Sequence, residues 1–109
     1  MSNYQVDRAR WSQMTIQEQM GNIGSEVGRS IKAWQAHDTE RFDGALDRAL
    51  DLFDATTEHL VSQHSPKLRE VLRSRDQYLS LFFDNTFEAD ASKVEDYFMQ
   101  YALAARSNR

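Results

Sequence analysis

Turn chemistry is scarce in this chain: 109 residues hold one proline and four glycines. Every glycine also falls in a stretch whose apolar residues recur at helical spacing. Without Gly- or Pro-rich turns, hairpins and a sheet have little to build on, and the pattern predicts an all-α chain. Glycine inside a helix costs ~1 kcal/mol relative to alanine, because its backbone has the most freedom to lose. Gly21, Gly24 and Gly28 share one helix face, spaced three and then four residues apart. Such a stripe suggests a second backbone passing very close, either from another helix of the chain or from a second copy.

The length suits a single domain with one core. Seventeen acidic residues against thirteen basic ones, a net charge of −4, argue against a broad nucleic-acid surface. With no cysteine, disulfides, thiolate chemistry and cysteine-ligated metal are excluded. The first residues lack an apolar core of signal-peptide length, and no stretch approaches the ~20 apolar residues of a membrane span. The expected setting is therefore the cytoplasm.

Four helices are predicted over residues 15–109, in an up-and-down four-helix bundle, after an arm over residues 1–14 with a short helical turn anchored by Trp11. Thr15 and Glu18 form a capping-box pattern that opens the first helix. Ile16, Met20, Ile23, Val27, Ile31 and Trp34 make its core stripe, and the glycines lie about 95° around from it. The second helix starts at Asp38 after a tight turn and buries Phe42, Leu46, Ala49, Phe53 and Leu60. Asp43, Asp47, Asp51, Asp54 and Glu58 lie opposite as a solvated acidic stripe. Ser65 and Pro66 open the third helix, whose expected core face is Leu68, Leu72, Leu79 and Phe82. A loop over residues 84–91 leads to a second capping box at Ser92 and Glu95. The fourth helix then buries Val94, Tyr97, Phe98, Tyr101 and Ala105, while Met99 and Leu103 point outward.

Arg75 falls in the middle of the third helix's apolar face. A guanidinium there needs a carboxylate partner or a ligand, since its desolvation costs several kcal/mol. Glu26 is the expected partner, and Glu26, Arg29 and Arg75 are the candidate ligand-binding residues. Lys67, Arg69 and Arg73 read as a solvated face, also a charge complement to the acidic helix of a neighbour. No Glu-x-x-His pair is present, and His59 and His64 lie five apart, so no metal site is expected. No nucleophile has the neighbours that would mark a catalytic centre, and no cofactor is implied.

Several strings taken together resemble a family of short, uncharacterised prokaryotic helical proteins: residues 20–29, 47–54 and 68–76, then Tyr97-Phe98 and Ala104-Ala105-Arg106. The resemblance runs from about Trp11 to Arg106 and implies a helical fold and a prokaryotic setting, but no activity. It directs attention to Glu26, Arg29, Arg73, Arg75 and Arg106. A looser similarity is to non-catalytic HEPN-type helical domains, whose ribonuclease members carry an arginine four to six residues before a histidine, a spacing missing here.

The leading expectation is a non-enzymatic protein-interaction module that forms a homo-oligomer, with an unidentified protein partner also open. Its interface residues are taken as Gly21, Gly24, Gly28, Met99 and Leu103. The alternative is a small-ligand or nucleotide-binding bundle, partner of another enzyme, that uses Arg75.

Overall fold

The computed structural model describes residues 5–107. They form five helices: α1 (Arg8–Trp11), α2 (Ile16–Gln35), α3 (Thr39–Ser62), α4 (Leu68–Phe83) and α5 (Phe87–Ser107). No strand occurs among the described residues. The all-α class stands, but the count is five rather than four. The short helix expected in the N-terminal arm is α1, and residues 1–4 of that arm lie outside the described residues.

α1 is one turn long and held from outside itself. Asp7 Oδ1 accepts the Arg10 N–H at its N-terminus. The buried Trp11 indole donates to Thr56 Oγ1 on α3 at 2.9 Å. Arg8 reaches Asp51 Oδ1 at 2.9 Å and Glu58 Oε2 at 3.0 Å, and the Val6 N–H donates to Asp51 Oδ2. The acidic stripe of α3 is therefore not solvated throughout, because the arm covers it at Asp51, whereas Glu58 stays exposed beside Arg8.

α2 opens on the expected capping box: Thr15 Oγ1 accepts the Glu18 N–H and Glu18 Oε1 accepts the Thr15 N–H. It packs most extensively against α3 and α5, whereas α4 meets both of those helices more sparsely. The turns work without glycine. At the end of α2 the Asp38 N–H bonds to Ala33 O and the His37 N–H to Trp34 O, with His37 left-handed at φ 57°. The end of α3 repeats this with Ser65 to Leu60 O, His64 to Val61 O, and His64 at φ 49°. Both are Schellman stops with histidine in the position glycine usually takes.

Two boundaries differ from expectation. Ser65 Oγ accepts the Lys67 N–H in a turn, and α4 begins only at Leu68. α5 begins at Phe87 rather than Ser92, so the expected loop shrinks to Asp84–Thr86, with Asn85 at φ 60°. Glu88 and Asp90 in the first turn suit the helix dipole. Phe87 lies 6.1 Å, ring to ring, from both Trp34 and Phe82, and that packing draws the residues before Ser92 into the helix.

The core face of α4 also differs. Val71, Ser74, Tyr78, Leu81 and Phe82 are buried, while Leu72 is 40% exposed. The helix is turned roughly a quarter turn from the expected face.

α5 crosses α2 at the glycines, antiparallel, with Gly21 against Ala102 and Gly24 against Phe98. A Cβ on Gly24 would stand 2.8 Å from Phe98 Cβ, and one on Gly21 would stand 3.3 Å from Ala102 Cα. The close approach expected of the stripe is made inside the chain, which removes Gly21 and Gly24 from the interface candidates. A Cβ on Gly28 would meet no described atom within 4 Å. Gly28→Ala should therefore stabilise the chain by ~0.5–1 kcal/mol through helix propensity. Gly24→Ala, which forces α5 outward, should destabilise it by ~1–3 kcal/mol. Urea unfolding of the two variants checks this opposition.

Candidate functional site

Glu26 is 6% exposed, and both of its oxygens are taken by guanidinium groups. Oε1 accepts from Arg29 Nη1 at 2.8 Å and Oε2 from Arg48 Nε at 2.7 Å. Glu26 was expected to pair with Arg75, but its partners are Arg29 on its own helix and Arg48 on α3. Gly44, one turn before Arg48, makes room for this geometry: a Cβ there would stand 3.3 Å from Arg48 Nη1. A buried carboxylate shared by two arginines is strongly held, since each bond is charge-assisted. Arg29 and Arg48 border a surface groove of ≈ 1120 Å³ between α2 and α3, together with Lys32, Arg41, Asp38, Glu40 and Asp47. With Glu26 counted, its charges balance. The arrangement ties α2 to α3 without leaving a net cationic pocket.

Arg75 is half-buried on the flank of α4, away from Glu26, and makes no hydrogen bond or ion pair with another described residue. The expectation of a core Arg75 paired with Glu26 is thus corrected. The cause is the rotation of α4, which puts Leu68, Leu72, Arg75, Leu79 and Phe83 on a second, outer stripe. Leu68 and Leu79 rest partly on the core, whereas Leu72 is 40% and Phe83 68% exposed. Leu68, Arg69, Leu72, Arg73 and Asp76 line a shallow depression of ≈ 450 Å³ beside that stripe. Met99 and Leu103 are 55% and 53% exposed on α5. They lie on the side of α5 opposite Tyr97 and Tyr101, which turn toward α4.

Two tyrosine clusters join the helices through hydroxyls. Ser30 Oγ donates to Val27 O at 2.7 Å, so its contact with Tyr78 Oη, also 2.7 Å, must be one in which the tyrosine donates. Tyr97 and Tyr101 both donate to Glu70 Oε2 on α4. Those two bonds hold the Glu70 carboxyl below its usual range, with Tyr101 the larger cause. Burial pushes Tyr97 and Tyr101 up, helped by the same carboxylate.

No group of three or more His, Asp or Glu side chains that could hold a metal comes together among the described residues. Nor is any helix among them long and apolar enough to cross a membrane. Comparisons with protein-family models, curated proteins and solved structures return no match. Arg48 escaped the sequence reading because it lies among acids on α3. The glycine four residues before it was the available signal.

The Tyr78 hydroxyl is pushed up to about 12, chiefly by burial and further by the Glu26 charge. Its folded pKa lies above the ordinary 10.0, so its contribution to stability is complete below that pH and is lost as pH rises toward 12. Tyr78→Phe should remove part of the alkaline destabilisation in that window. Unfolding titrations of both proteins at stepped alkaline pH, with tyrosinate absorbance as the second readout, check it.

Proposed function

We propose that this chain is a non-enzymatic helical interaction module that associates with itself. In this reading its four long helices, joined by short turns, form an up-and-down bundle and work in the cytoplasm of a prokaryotic cell. The observation that carries the reading is the second apolar stripe of α4. One face of that helix already fills the core, yet Leu72 and Phe83 stand exposed on another. Contiguous exposed apolar surface on a soluble protein marks a contact surface, and these side chains share one helix face. Arg75 and Asp76 on the same stretch form no ion pair with a described residue. The charge-balanced α2–α3 groove gives the small-ligand alternative weaker support.

Light scattering over a range of protein concentration tests the reading. The molar mass should rise from 12.7 kDa toward twice that value with increasing concentration. A mass that stays at the monomer value through the micromolar range overturns it.

A further inference from the structure

Two exposed groups of opposite charge flank the turn between α3 and α4. On α4, Arg69 and Arg73 stand one and five residues past its start at Leu68. Both are exposed, and neither forms an ion pair with a described residue. On α3, Glu58 and Asp54 stand four and eight residues before its end at Ser62, exposed as well. Glu58 meets Arg8 at the surface, and Asp54 forms no ion pair with a described residue. An exposed apolar side chain accompanies each group, Leu72 beside the arginines and Val61, 54% exposed, beside the acids.

α3 and α4 run antiparallel, since Phe42 meets Phe82 while Phe53 meets Tyr78. At ~100° per residue, all these exposed side chains lie on the sides of α3 and α4 turned away from their buried residues. The neighbouring helices thus present one outer face, acidic on α3 and basic on α4, with an apolar residue in each half.

We infer that two copies of the chain associate through this face, about a two-fold axis that runs between α3 and α4 and along them. The inference rests on the self-association proposed above and names its surface. Such an axis lays α4 of each copy on α3 of the other, so both contacts form at once and the assembly closes at two. It also fixes the register, because rotation about a line along the helices moves nothing along them. Side chains equally far from the turn then come level across the interface. Arg73 comes level with the stretch between Glu58 and Asp54 of the second copy, and Arg69 with its Val61. Leu72 and Val61 form the seam, and the charges flank it.

Charge decides between this pairing and the simpler ones. Setting α4 against α4 opposes the arginines to themselves, and setting α3 against α3 does the same with the acids. Only the crossed pairing meets opposite charge on both sides. Asp76 is its one misfit: it shares the outer side of α4 and comes level with Asp54 of the second copy. The two arginines still outnumber it.

Reversing the charges one helix at a time tests the pairing. Arg69→Glu with Arg73→Glu in one chain, or Asp54→Lys with Glu58→Lys in another, sets like charges against each other in both contacts. Each pair should raise the dimer dissociation constant about thirtyfold or more at low salt. Mixing the two variant chains opposes glutamate to lysine in one contact and arginine to the native acids in the other. The mixture should form a heterodimer within about fivefold of the parent affinity. Asp76→Asn, which removes the misfit, should tighten the parent dimer about threefold. All five positions are exposed, so circular dichroism should show the parent's helicity throughout. A parent dimer that neither reversal weakens overturns the α3–α4 face and leaves the self-association to another surface. Weakening that the mixture fails to restore overturns the crossed pairing, and an Asp76→Asn dimer no tighter than the parent overturns the register. A parent chain that stays monomeric removes the self-association itself, which the parent measurement alone distinguishes.

Discussion

The approach of α5 to α2 at Gly21 and Gly24 leaves one flank of α2 bare of side chains, and the other flank carries the polar atoms that tie α2 to the remaining helices. Gln19, Glu26 and Ser30 recur along that second flank, each almost fully buried. Gln19 Nε2 donates to Trp11 O of α1 at 2.9 Å, Glu26 binds Arg48 of α3, and Ser30 accepts from Tyr78 of α4. One helix thus meets four others, three through hydrogen bonds and one through backbone contact. Apolar packing alone tolerates small slips, but a buried polar atom out of register would lose its partner and cost ~1–3 kcal/mol. The polar flank therefore sets where along α2 each neighbour sits, while Met20, Ile23, Val27 and Ile31 supply the bulk of the core.

This division explains why α4 is the loosest of the long helices. It lies diagonal to α2 and touches it through Ser30–Tyr78 and the Trp34–Phe82 ring contact at 5.1 Å. Its remaining support is shared between α3 and α5. Glu70, gripped by Tyr97 and Tyr101, fastens the α5 side near the N-terminal end of α4. With its inner face anchored at both ends, its outer stripe stays exposed at Leu72 and Phe83.

The rotation of α4 shows where the sequence was legible and where it was not. Helix class, the α2 core stripe from Met20 to Ile31, the capping box at Thr15 and the anchoring role of Trp11 follow from spacing and residue type, and the structure has them, although Trp34 at the end of the expected stripe is 38% exposed. The face of α4 does not follow, because two of its buried residues carry hydroxyls. Ser74 satisfies its own by bonding to Val71 O, and Tyr78 satisfies its own on Ser30. Read by hydrophobicity, both count as surface, and the more apolar Leu68, Leu72 and Leu79 take their place. The same logic displaced Arg75, which is no core residue once the helix turns. Glu26 and Arg29 meet because they share a helix, where three-residue spacing fixes proximity. Arg48 required knowing how α3 lies against α2. The start of α5 was misplaced for a related reason: the capping pattern at Ser92 is local, whereas packing of Phe87 on Trp34 and Phe82 is tertiary and prevails.

A chain with only four glycines would ordinarily place them at helix ends, where the left-handed conformation is needed and only glycine adopts it without strain. Here those positions fall to His37, His64 and Asn85, each at positive φ, which costs ~1 kcal/mol for residues carrying a Cβ. Two helix interiors meanwhile lose helix propensity, α2 at Gly21 and Gly24 and α3 at Gly44. Both costs run against local preference, and at these three glycines a close contact offsets them: α5 against α2 at the first two, Arg48 folded back over the third. Gly28 has no such contact, since a Cβ there would meet no described atom. It continues the same stripe one turn beyond Gly24, where α5 no longer lies close enough to require it. The stripe is thus two residues of necessity and one that the fold of the single chain does not use.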